Sequence, residues 1–242
     1  MQSDFDYVPK SFFLVPDRLK AANAPVGKDE LSSAEPIRQR FLFKNDHSPY
    51  LDDVTRAFRL LTGAKTYLEI GIYDRGNLAY VSTLLDPSAL IIGLDIQANE
   101  EHESRLRQFI KPGQKYEEVI GNSQDDQTVQ RVSALLRNRK VDALFIDGDH
   151  TAAGALSDYA RYADFVNDDG IIFFHDALWE GNEQYKGVSA AMMCIDRLDP
   201  VYCIIGAEPV HRYIPPMFRK EVWGCVGVVL PKMMAHRKTS FE

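Results

Sequence analysis

Short, nearly uninterrupted hydrophobic runs alternate with amphipathic stretches through the middle of this chain. The runs have the length of β-strands, whereas the stretches between them repeat apolar residues at helical spacing. Strands that are apolar along their whole length are typical of a parallel sheet covered by helices on both faces. The pattern predicts strands at 66–70, 90–95, 116–120, 141–147 and 170–175, and helices at 50–61, 77–85, 102–111, 126–138 and 152–166.

The two ends of the chain differ from this alternating region. Residues 201–206 and 222–230 are two more candidate strands with no strong helix between them, so they can pair antiparallel. We predict an α/β fold with a doubly wound, mostly parallel seven-stranded sheet and an antiparallel last strand. Residues 1–48 contain scattered prolines and aromatics, which suits an arm that acts as a lid or an oligomer contact, or else a poorly ordered tail. Residues 49–242 form the predicted main domain.

The composition narrows the classes of function. The 242 residues carry a formal net charge of -7, which argues against a general nucleic-acid binder because such proteins usually present a basic surface. No stretch reaches the roughly 18 apolar residues that span a bilayer, so we expect no membrane partner. The N-terminus does not resemble a signal peptide. The three cysteines have no paired spacing, which indicates reduced core residues in a cytoplasmic protein.

The loop after the first predicted strand has features of a nucleotide site. Gly71 and Gly76 would let the backbone approach a ligand where a helix begins. Their spacing, however, departs from the glycine pattern of pyrophosphate-binding turns. Glu69 at the strand end would repel a phosphate but could hold the ammonium of a methionyl group. The alternative interpretation is a surface turn with an incidental carboxylate.

Two further loops extend this candidate site. Asp95 ends the next predicted strand, where an acidic residue can accept hydrogen bonds from ribose hydroxyls, whether the ligand is NAD or S-adenosylmethionine. Ser123 and Gln124 follow the third strand and could contact an adenine, because ligands of such sheets bind beyond the carboxyl ends of the strands. The alternatives are a solvent-facing strand end at Asp95 and a helix N-cap at Asp125.

A second polar cluster follows the fourth and fifth predicted strands. Adjacent parallel strands would bring Asp147, His175 and Asp176 together, and carboxylates this close repel unless a cation or a proton lies between them. A divalent ion with oxygen and imidazole ligands would relieve the repulsion and lower the pKa of a substrate hydroxyl. His150 could accept that hydroxyl's proton. The alternative is that these side chains only cap strand ends and start the next helix, with Thr151 as its N-cap.

Together these segments resemble the class I methyltransferases, which use S-adenosylmethionine. The resemblance is carried by residues 68–77 (LEIGIYDRGN), 94–95 (LD), 145–150 (FIDGDH) and 170–176 (GIIFFHD). The subgroup that the chain resembles contains the macrocin- and mycinamicin-type sugar O-methyltransferases and cephalosporin-hydroxylase-like proteins. The catechol and caffeoyl-CoA O-methyltransferases are more distantly similar. The resemblance covers residues 64–178 well and the last two strands weakly, and it implies a Rossmann-like fold.

The resemblance also implies roles for the matching residues. Glu69 would lie beside the methionyl part of the cofactor, Asp95 would hold the ribose, and His150 would be the base. With the residues argued from their positions in the loops, the residues predicted to bind the cofactor are Glu69, Gly71, Tyr73, Gly76, Asn77, Asp95, Ser123 and Gln124. Those implied to bind magnesium are Asp147, His175 and Asp176. The chain departs from the pattern in that His175 stands where an acidic ligand is common, and Asn77 stands where serine is frequent.

The expected reaction is an in-line methyl transfer from the sulfonium of the cofactor to a hydroxyl of a small molecule, such as a sugar or a natural-product intermediate. Residues 179–187 would line the acceptor side, where Trp179 and Tyr185 could stack on a ring or be ordinary loop aromatics. A nicotinamide-dependent oxidoreductase and a non-catalytic cofactor-binding protein of the same fold are the competing hypotheses. A homo-oligomer formed through the N-terminal arm is also expected.

Overall fold

The computed structural model of the protein describes residues 26–27, 29, 32, 34–41, 48–61, 63–177, 186–198, 202–205 and 226–229. Its strands are β1 Thr66–Ile70, β2 Leu90–Asp95, β3 Lys115–Ile120, β4 Val141–Ile146, β5 Val166–Phe174, β6 Tyr202–Ile205 and β7 Val226–Val229. Its helices are α1 Ala34–Arg38, α2 Ser48–Phe58, α3 Gly76–Leu84, α4 Glu100–Arg107, α5 Asp126–Leu136, α6 Ala152–Tyr162 and α7 Lys186–Leu198, with a 3₁₀ turn at Ala163–Phe165.

The seven strands form one sheet in the order β3-β2-β1-β4-β5-β7-β6. Strands β1 to β5 pair parallel to one another, and β7 lies antiparallel between β5 and β6. This confirms the predicted α/β architecture with an antiparallel last strand. From β1 the chain adds β2 and β3 on one side and then crosses to add β4 and β5 on the other side. Ligands of open α/β sheets bind at such a switch point, which here lies between β1 and β4.

Hydrophobic residues cover both faces of the sheet. One cluster packs α5, α6 and α7 against one face and includes Tyr159. The other packs α1 to α4 against the opposite face and includes Val81. Successive side chains of a strand point to opposite faces, so that Leu68 joins the first cluster and its neighbour Tyr67 joins the second. Burial on both faces explains why the central strands are hydrophobic throughout.

Part of the predicted N-terminal arm belongs to this core. Ala34 and Ile37 of α1, followed by Phe41, are buried in the second cluster. Residues 1–25 lie outside the described part of the chain, and the arm's role as a lid or an oligomer contact stays a prediction. Among the described helices, none has both the length and the apolar character needed to cross a membrane.

The structure corrects three details. Strand β5 begins at Val166 instead of residue 170, because Val166 pairs with β4 before a register shift. The exposed residues 168–169 interrupt the apolar run and hide this start in the sequence. Helix α7 was not predicted, although Val188, Ala191, Met192 and Ile195 are buried at helical spacing. Cys194 on the same helix is exposed and is therefore not a core residue.

Candidate functional site

The carboxyl ends of four parallel strands form one rim. The register pairs Ile70 with both Leu94 and Ile146, and it pairs Ile146 with Phe174, so these strands end at the same level. Backbone hydrogen bonds of 2.8–3.0 Å extend the ladder through the first residue after three of these strands, namely Gly71, Asp147 and His175. The loops that leave the rim therefore start from fixed positions.

A cavity of about 900 Å³ opens along this rim. Every residue that the sequence predicts to bind the cofactor, hold the metal or act as the base lines it, except Gly76. The lining residues from that set are Glu69, Gly71, Tyr73, Asn77, Asp95, Ser123, Gln124, Asp147, His150, His175 and Asp176. Gly76 is buried at the start of α3, where its N–H donates to Asp74 Oδ1 at 2.9 Å. Gly76 thus shapes the loop and does not face the cavity.

The two polar clusters touch at Gly71. This residue has a φ of +83°, and a Cβ on it would lie 2.5 Å from the carbonyl carbon of Asp147 and 2.7 Å from Gly148 Cα. Glycine meets both demands, because it adopts left-handed backbone at no steric cost and leaves room for the neighbouring chain. The loop after β1 can therefore pack directly on the loop after β4.

Glu69 is a buried carboxyl group at the floor of the cavity, 1% exposed. Its Oε2 accepts hydrogen bonds from the Tyr67 hydroxyl at 2.6 Å and from Asn77 Nδ2 at 3.1 Å. Burial raises the pKa of Glu69 to about 8, against the opposing effect of these two hydrogen bonds. Asn77 Oδ1 is also buried and has no hydrogen-bond partner among the described residues. An ammonium group, which donates three hydrogen bonds, would complement these acceptors.

Asp95 orders the loop after β1. Its Oδ2 accepts hydrogen bonds from the backbone N–H groups of Ile72 at 3.0 Å and Tyr73 at 2.9 Å, and its Oδ1 accepts one from Gln97 N–H at 2.9 Å. Two of the amides that could cradle a phosphate are therefore occupied. Oδ1 keeps a lone pair for a further donor such as a hydroxyl. Tyr73 is 73% exposed and lines the cavity.

A buried ion pair anchors the same loop from behind. The fully buried Arg75 donates to Glu118 through Nε at 2.9 Å and Nη2 at 2.6 Å, and its Nη1 donates to the Tyr73 carbonyl at 3.0 Å. The Tyr116 hydroxyl donates to the same carboxylate. Burial alone would lower the pKa of Arg75, but Glu118 outweighs it and raises that pKa. A two-point guanidinium–carboxylate pair fixes orientation as well as charge.

The loop after β3 closes the far end of the cavity. The Tyr162 hydroxyl donates to the Ser123 carbonyl at 2.9 Å, and Gln124 N–H donates to Asn122 Oδ1 at 3.0 Å. The Gln124 side chain reaches Asp149 Oδ2 at 3.4 Å, so that the loops after β3 and β4 meet across the cavity. Ser123 and Gln124 are thus placed where one flat group could lie against them.

The metal and base candidates converge at the other end. Asp147 Oδ1 lies 3.0 Å from His150 Nε2 and 2.7 Å from His175 Nδ1. Asp176 lies 3.5 Å from His150 Nε2 through Oδ2, and 3.5 Å from His175 Nε2 through Oδ1. Two carboxylates and two imidazoles therefore share one region. Ligand atoms of Asp147, His150 and His175 all lie within 4.8 Å of one another.

Charge balance in this region depends on His175. Burial alone would lower the pKa of His175, but the Asp147 and Asp176 carboxylates outweigh it and raise that pKa to about 9. Burial alone would raise the pKa of Asp147, and the two histidines reverse this and lower it. Without another cation, His175 is therefore an imidazolium at neutral pH and Asp147 is ionised. The pair behaves as one positive and one negative charge in close contact.

The structure adds residues that the sequence analysis did not assign. Tyr67 holds Glu69, and its position two residues earlier on the strand could have revealed that it shares a face with Glu69. Asp149 lines the cavity and contacts Gln124. Nothing local indicated the buried partnership of Arg75 and Glu118. Trp179 and Tyr185, proposed for the acceptor side, lie outside the described residues.

Known proteins similar to this chain include a methyltransferase family and solved methyltransferases. Residues 68–177 match the family model of a methyltransferase domain. An uncharacterized protein of Acanthamoeba polyphaga mimivirus is 26% identical over 181 residues, which cover 71% of this chain and 74% of that protein. The solved O-methyltransferase from Bacillus cereus, in complex with SAH, has a TM-score of 0.56 and 16% identity over 87% of this chain and 95% of its own.

The MycE methyltransferase from the mycinamycin biosynthetic pathway, in complex with Mg and SAH, is also similar, with a TM-score of 0.48 and 19% identity. The match covers 69% of this chain but only 45% of the length of that enzyme. The family match and the fold shared with the Bacillus cereus enzyme confirm the resemblance seen in the sequence. Residues 68–177 therefore match a methyltransferase domain, and the chain shares the fold of the Bacillus cereus O-methyltransferase.

Proposed function

We propose that this protein is an O-methyltransferase that transfers the methyl group of S-adenosylmethionine to a hydroxyl of a small molecule. The observation that carries the proposal is the buried pair of acceptors at the floor of the cavity. Asn77 Oδ1 lacks a donor among the described residues, and Glu69 presents a carboxyl group beside it. The methionyl ammonium of the cofactor would supply the donors and a positive charge that favours ionised Glu69.

The rest of the cofactor would follow the rim from this point. Asp95 would accept a ribose hydroxyl through Oδ1, and Ser123 and Gln124 would border the adenine. Gly71 and Tyr73 would line the path between the two ends. A cavity of about 900 Å³ is within the size range of small-molecule sites. The Bacillus cereus enzyme with the shared fold binds SAH, which supports a cofactor of this class.

The same loop argues against a nicotinamide dinucleotide. A pyrophosphate needs free backbone N–H groups at the start of a helix. In this loop the amides of Ile72 and Tyr73 donate to Asp95, and the amide of Gly76 donates to Asp74. The carboxylate that holds two of these amides would also repel a phosphate. The oxidoreductase hypothesis is therefore disfavoured by both hydrogen bonding and charge.

His150 is the proposed general base. Its Nε2 lies 3.0 Å from Asp147 Oδ1, so in the neutral tautomer that donates to Asp147 the lone pair is on Nδ1. As the methyl group leaves the sulfonium, the acceptor oxygen forms the new C–O bond and passes its proton to His150. The products are a methyl ether, neutral-sulfur S-adenosylhomocysteine and an imidazolium that Asp147 stabilises. Alignment of donor and acceptor supplies much of the rate, since sulfonium is already a good leaving group.

We also propose a divalent cation at Asp147, His175 and Asp176. The fit is supported by two carboxylates that both contact His175 and would otherwise share its single positive charge. A bound cation would balance these charges and would lower the pKa of an acceptor hydroxyl. In the families that the sequence resembles, the ion is magnesium.

The acceptor is proposed to be a hydroxylated sugar or natural-product intermediate. The net charge of -7 supports a small-molecule partner over nucleic acid. Homo-oligomerisation through the N-terminal arm and a cytoplasmic location belong to the same proposal.

Calorimetric titration of the full chain with S-adenosylhomocysteine and with NAD tests the cofactor assignment. We expect binding of the first only, weakened by about tenfold or more in Glu69→Gln, which removes the charge partner of the ammonium. Glu101→Gln is the matched control, since Glu101 is 79% exposed and outside the cavity. Binding of NAD, or unchanged affinity in Glu69→Gln, would contradict the proposal.

A further inference from the structure

We propose that the cation site selects a nitrogen-binding first-row transition-metal ion, of the Zn²⁺ or Co²⁺ type, in preference to magnesium. The inference rests on the proposed function, because it concerns the ion at Asp147, His175 and Asp176. It is carried by the chemistry of the donor atoms on this rim. Imidazole nitrogens occupy places that an all-oxygen site would give to carboxylates.

The separations of the donors suit one shared ion. Two ligands about 2.1 Å from the same metal lie about 3.0 Å apart at a right angle and about 3.4 Å apart in a tetrahedron. Here His150 Nε2 lies 3.0 Å from Asp147 Oδ1 and 3.5 Å from Asp176 Oδ2. His175 Nε2 lies 3.5 Å from Asp176 Oδ1. His175 Nδ1 contacts Asp147 Oδ1 at 2.7 Å, so His175 would bind an ion through Nε2 and keep Nδ1 on that carboxylate.

Each combination of ligands contains nitrogen. Asp147, His175 and Asp176 supply one imidazole, and the group of Asp147, His150 and His175, in which His150 would be a ligand instead of the base, supplies two. Magnesium prefers oxygen ligands in a regular octahedron and retains several waters. Imidazole suits zinc and its first-row neighbours. His175 belongs to both combinations and is therefore the residue that sets the preference.

A third acidic side chain does not restore an oxygen-rich site. Asp149 lines the same cavity, but its Oδ1 accepts the Thr151 N–H at 2.9 Å and its Oδ2 contacts Gln124 at 3.4 Å. These bonds direct Asp149 toward the adenine end of the rim. Glu69 is likewise engaged by Tyr67 and Asn77.

Metal titration of the chelator-treated full chain tests the preference. Magnesium, cobalt(II) and zinc chlorides are titrated separately by calorimetry, and the visible absorption of cobalt(II) reports nitrogen ligation independently of activity. We expect cobalt(II) and zinc to bind at least about 100-fold more tightly than magnesium. His175→Asp should weaken cobalt(II) binding by about tenfold or more and should strengthen magnesium binding, since it makes the ligand set richer in oxygen.

His175→Asn, an uncharged oxygen donor, gives a second variant should an added carboxylate prevent folding. His102→Asp is the matched control, because His102 lies on α4 outside the cavity. Three results would overturn the inference: equal affinity for magnesium and cobalt(II), cobalt(II) affinity unchanged in both His175 variants, or no binding of any ion. The wild-type sample is also titrated with S-adenosylhomocysteine, which separates the cofactor assignment from the metal preference. Absence of S-adenosylhomocysteine binding counts against the cofactor assignment, whereas the metal affinities alone decide the metal preference.

Discussion

The two ends of the rim achieve charge balance in opposite ways. At the cofactor end, apart from the buried Glu69 at the cavity floor, the charges are satisfied within the fold: Arg75 is fully buried against Glu118, and Asp95 accepts three backbone N–H groups. At the acceptor end, the side chains of Asp147 and His175 remain about one-fifth exposed, and their balance depends on a proton. The fold itself fixes the hydrogen bonds and ion pairs at the cofactor end. At the acceptor end, protons or metal ions from solution determine the charge state.

This difference predicts which substitutions should lower stability and which should lower activity. A polar group that the fold has already satisfied cannot be removed without leaving its partner buried and unpaired, which costs stability. A group that faces a cavity and exchanges protons with solvent can be removed at less structural cost, and its loss should appear in chemistry. The following substitutions separate these two cases.

Gly71→Ala should have the largest effect, because Gly71 is the point at which the two ends touch. Left-handed backbone costs an alanine about 1–2 kcal/mol, and overlap with the Asp147 backbone should add roughly 2–3 kcal/mol. Gly63→Ala is the matched control, since Gly63 has a similar φ of +74° and a Cβ added there would meet nothing within 4 Å. Urea unfolding measures both free energies. Equal losses would show that the contact with the loop after β4 is unimportant.

Glu118→Gln tests the cofactor end, where charges are paired inside the fold. The substitution leaves the Arg75 guanidinium buried without its carboxylate, so the free energy of unfolding should fall by roughly 3 kcal/mol. The neighbouring Glu117 pairs with Lys115 at the surface, and Glu117→Gln should change it by less than about 0.5 kcal/mol. Arg75 also holds the Tyr73 carbonyl, so affinity for S-adenosylhomocysteine should fall in the first variant only. Similar stability in both variants would contradict this account.

His150→Ala tests the acceptor end, where the charges depend on protons or ions from solution. The rate of methyl transfer to an acceptor that the wild type accepts should fall by at least about 10²-fold, as expected for loss of a general base. Affinity for S-adenosylhomocysteine should stay unchanged, because His150 lies at the acceptor end. The measurement is a radiolabelled methyl-transfer assay beside calorimetry. Full activity would remove His150 from the mechanism, and lost cofactor binding would indicate a structural role instead.

The sequence predicts most of this rim, because the features that place it are local. Strands β1 and β2 were predicted at their observed bounds from uninterrupted apolar runs, and in a parallel sheet the residues after such strands must meet at one edge. Glu69, Asp95 and His150 were found in this way.

Features that depend on distant contacts escaped prediction. Arg75 reads as a solvent-exposed loop residue, and only the pairing of β2 with β3 brings Glu118 to it across 43 positions. Glycines near a helix start suggest a binding turn, but the Gly76 N–H donates to Asp74 and Gly76 does not line the cavity. The state of His175 likewise depends on carboxylates from two strands.

Glu69→Gln should give the most specific effect, which is a change in the pH dependence of stability. Burial raises the pKa of Glu69 from 4.5 to about 8, so between these values the folded state binds a proton that the unfolded state lacks. Stability contributed by Glu69 is therefore present in full below pH 4.5 and is lost as the pH rises toward 8, with a limiting slope of about 1.4 kcal/mol per pH unit. Glutamine mimics the protonated acid and has no such slope.

The difference between wild type and Glu69→Gln isolates this group from His175 and the other residues that titrate nearby. Urea unfolding of both proteins from about pH 5 to about pH 8 should show the wild type losing stability relative to the variant at each step. Parallel curves would mean that Glu69 is ionised in the free protein, with its charge already balanced inside the fold. Glu69 would then have its charge balanced inside the fold, as Glu118 does with Arg75. Contact with Glu69 would in that case add less to the binding free energy of an ammonium group.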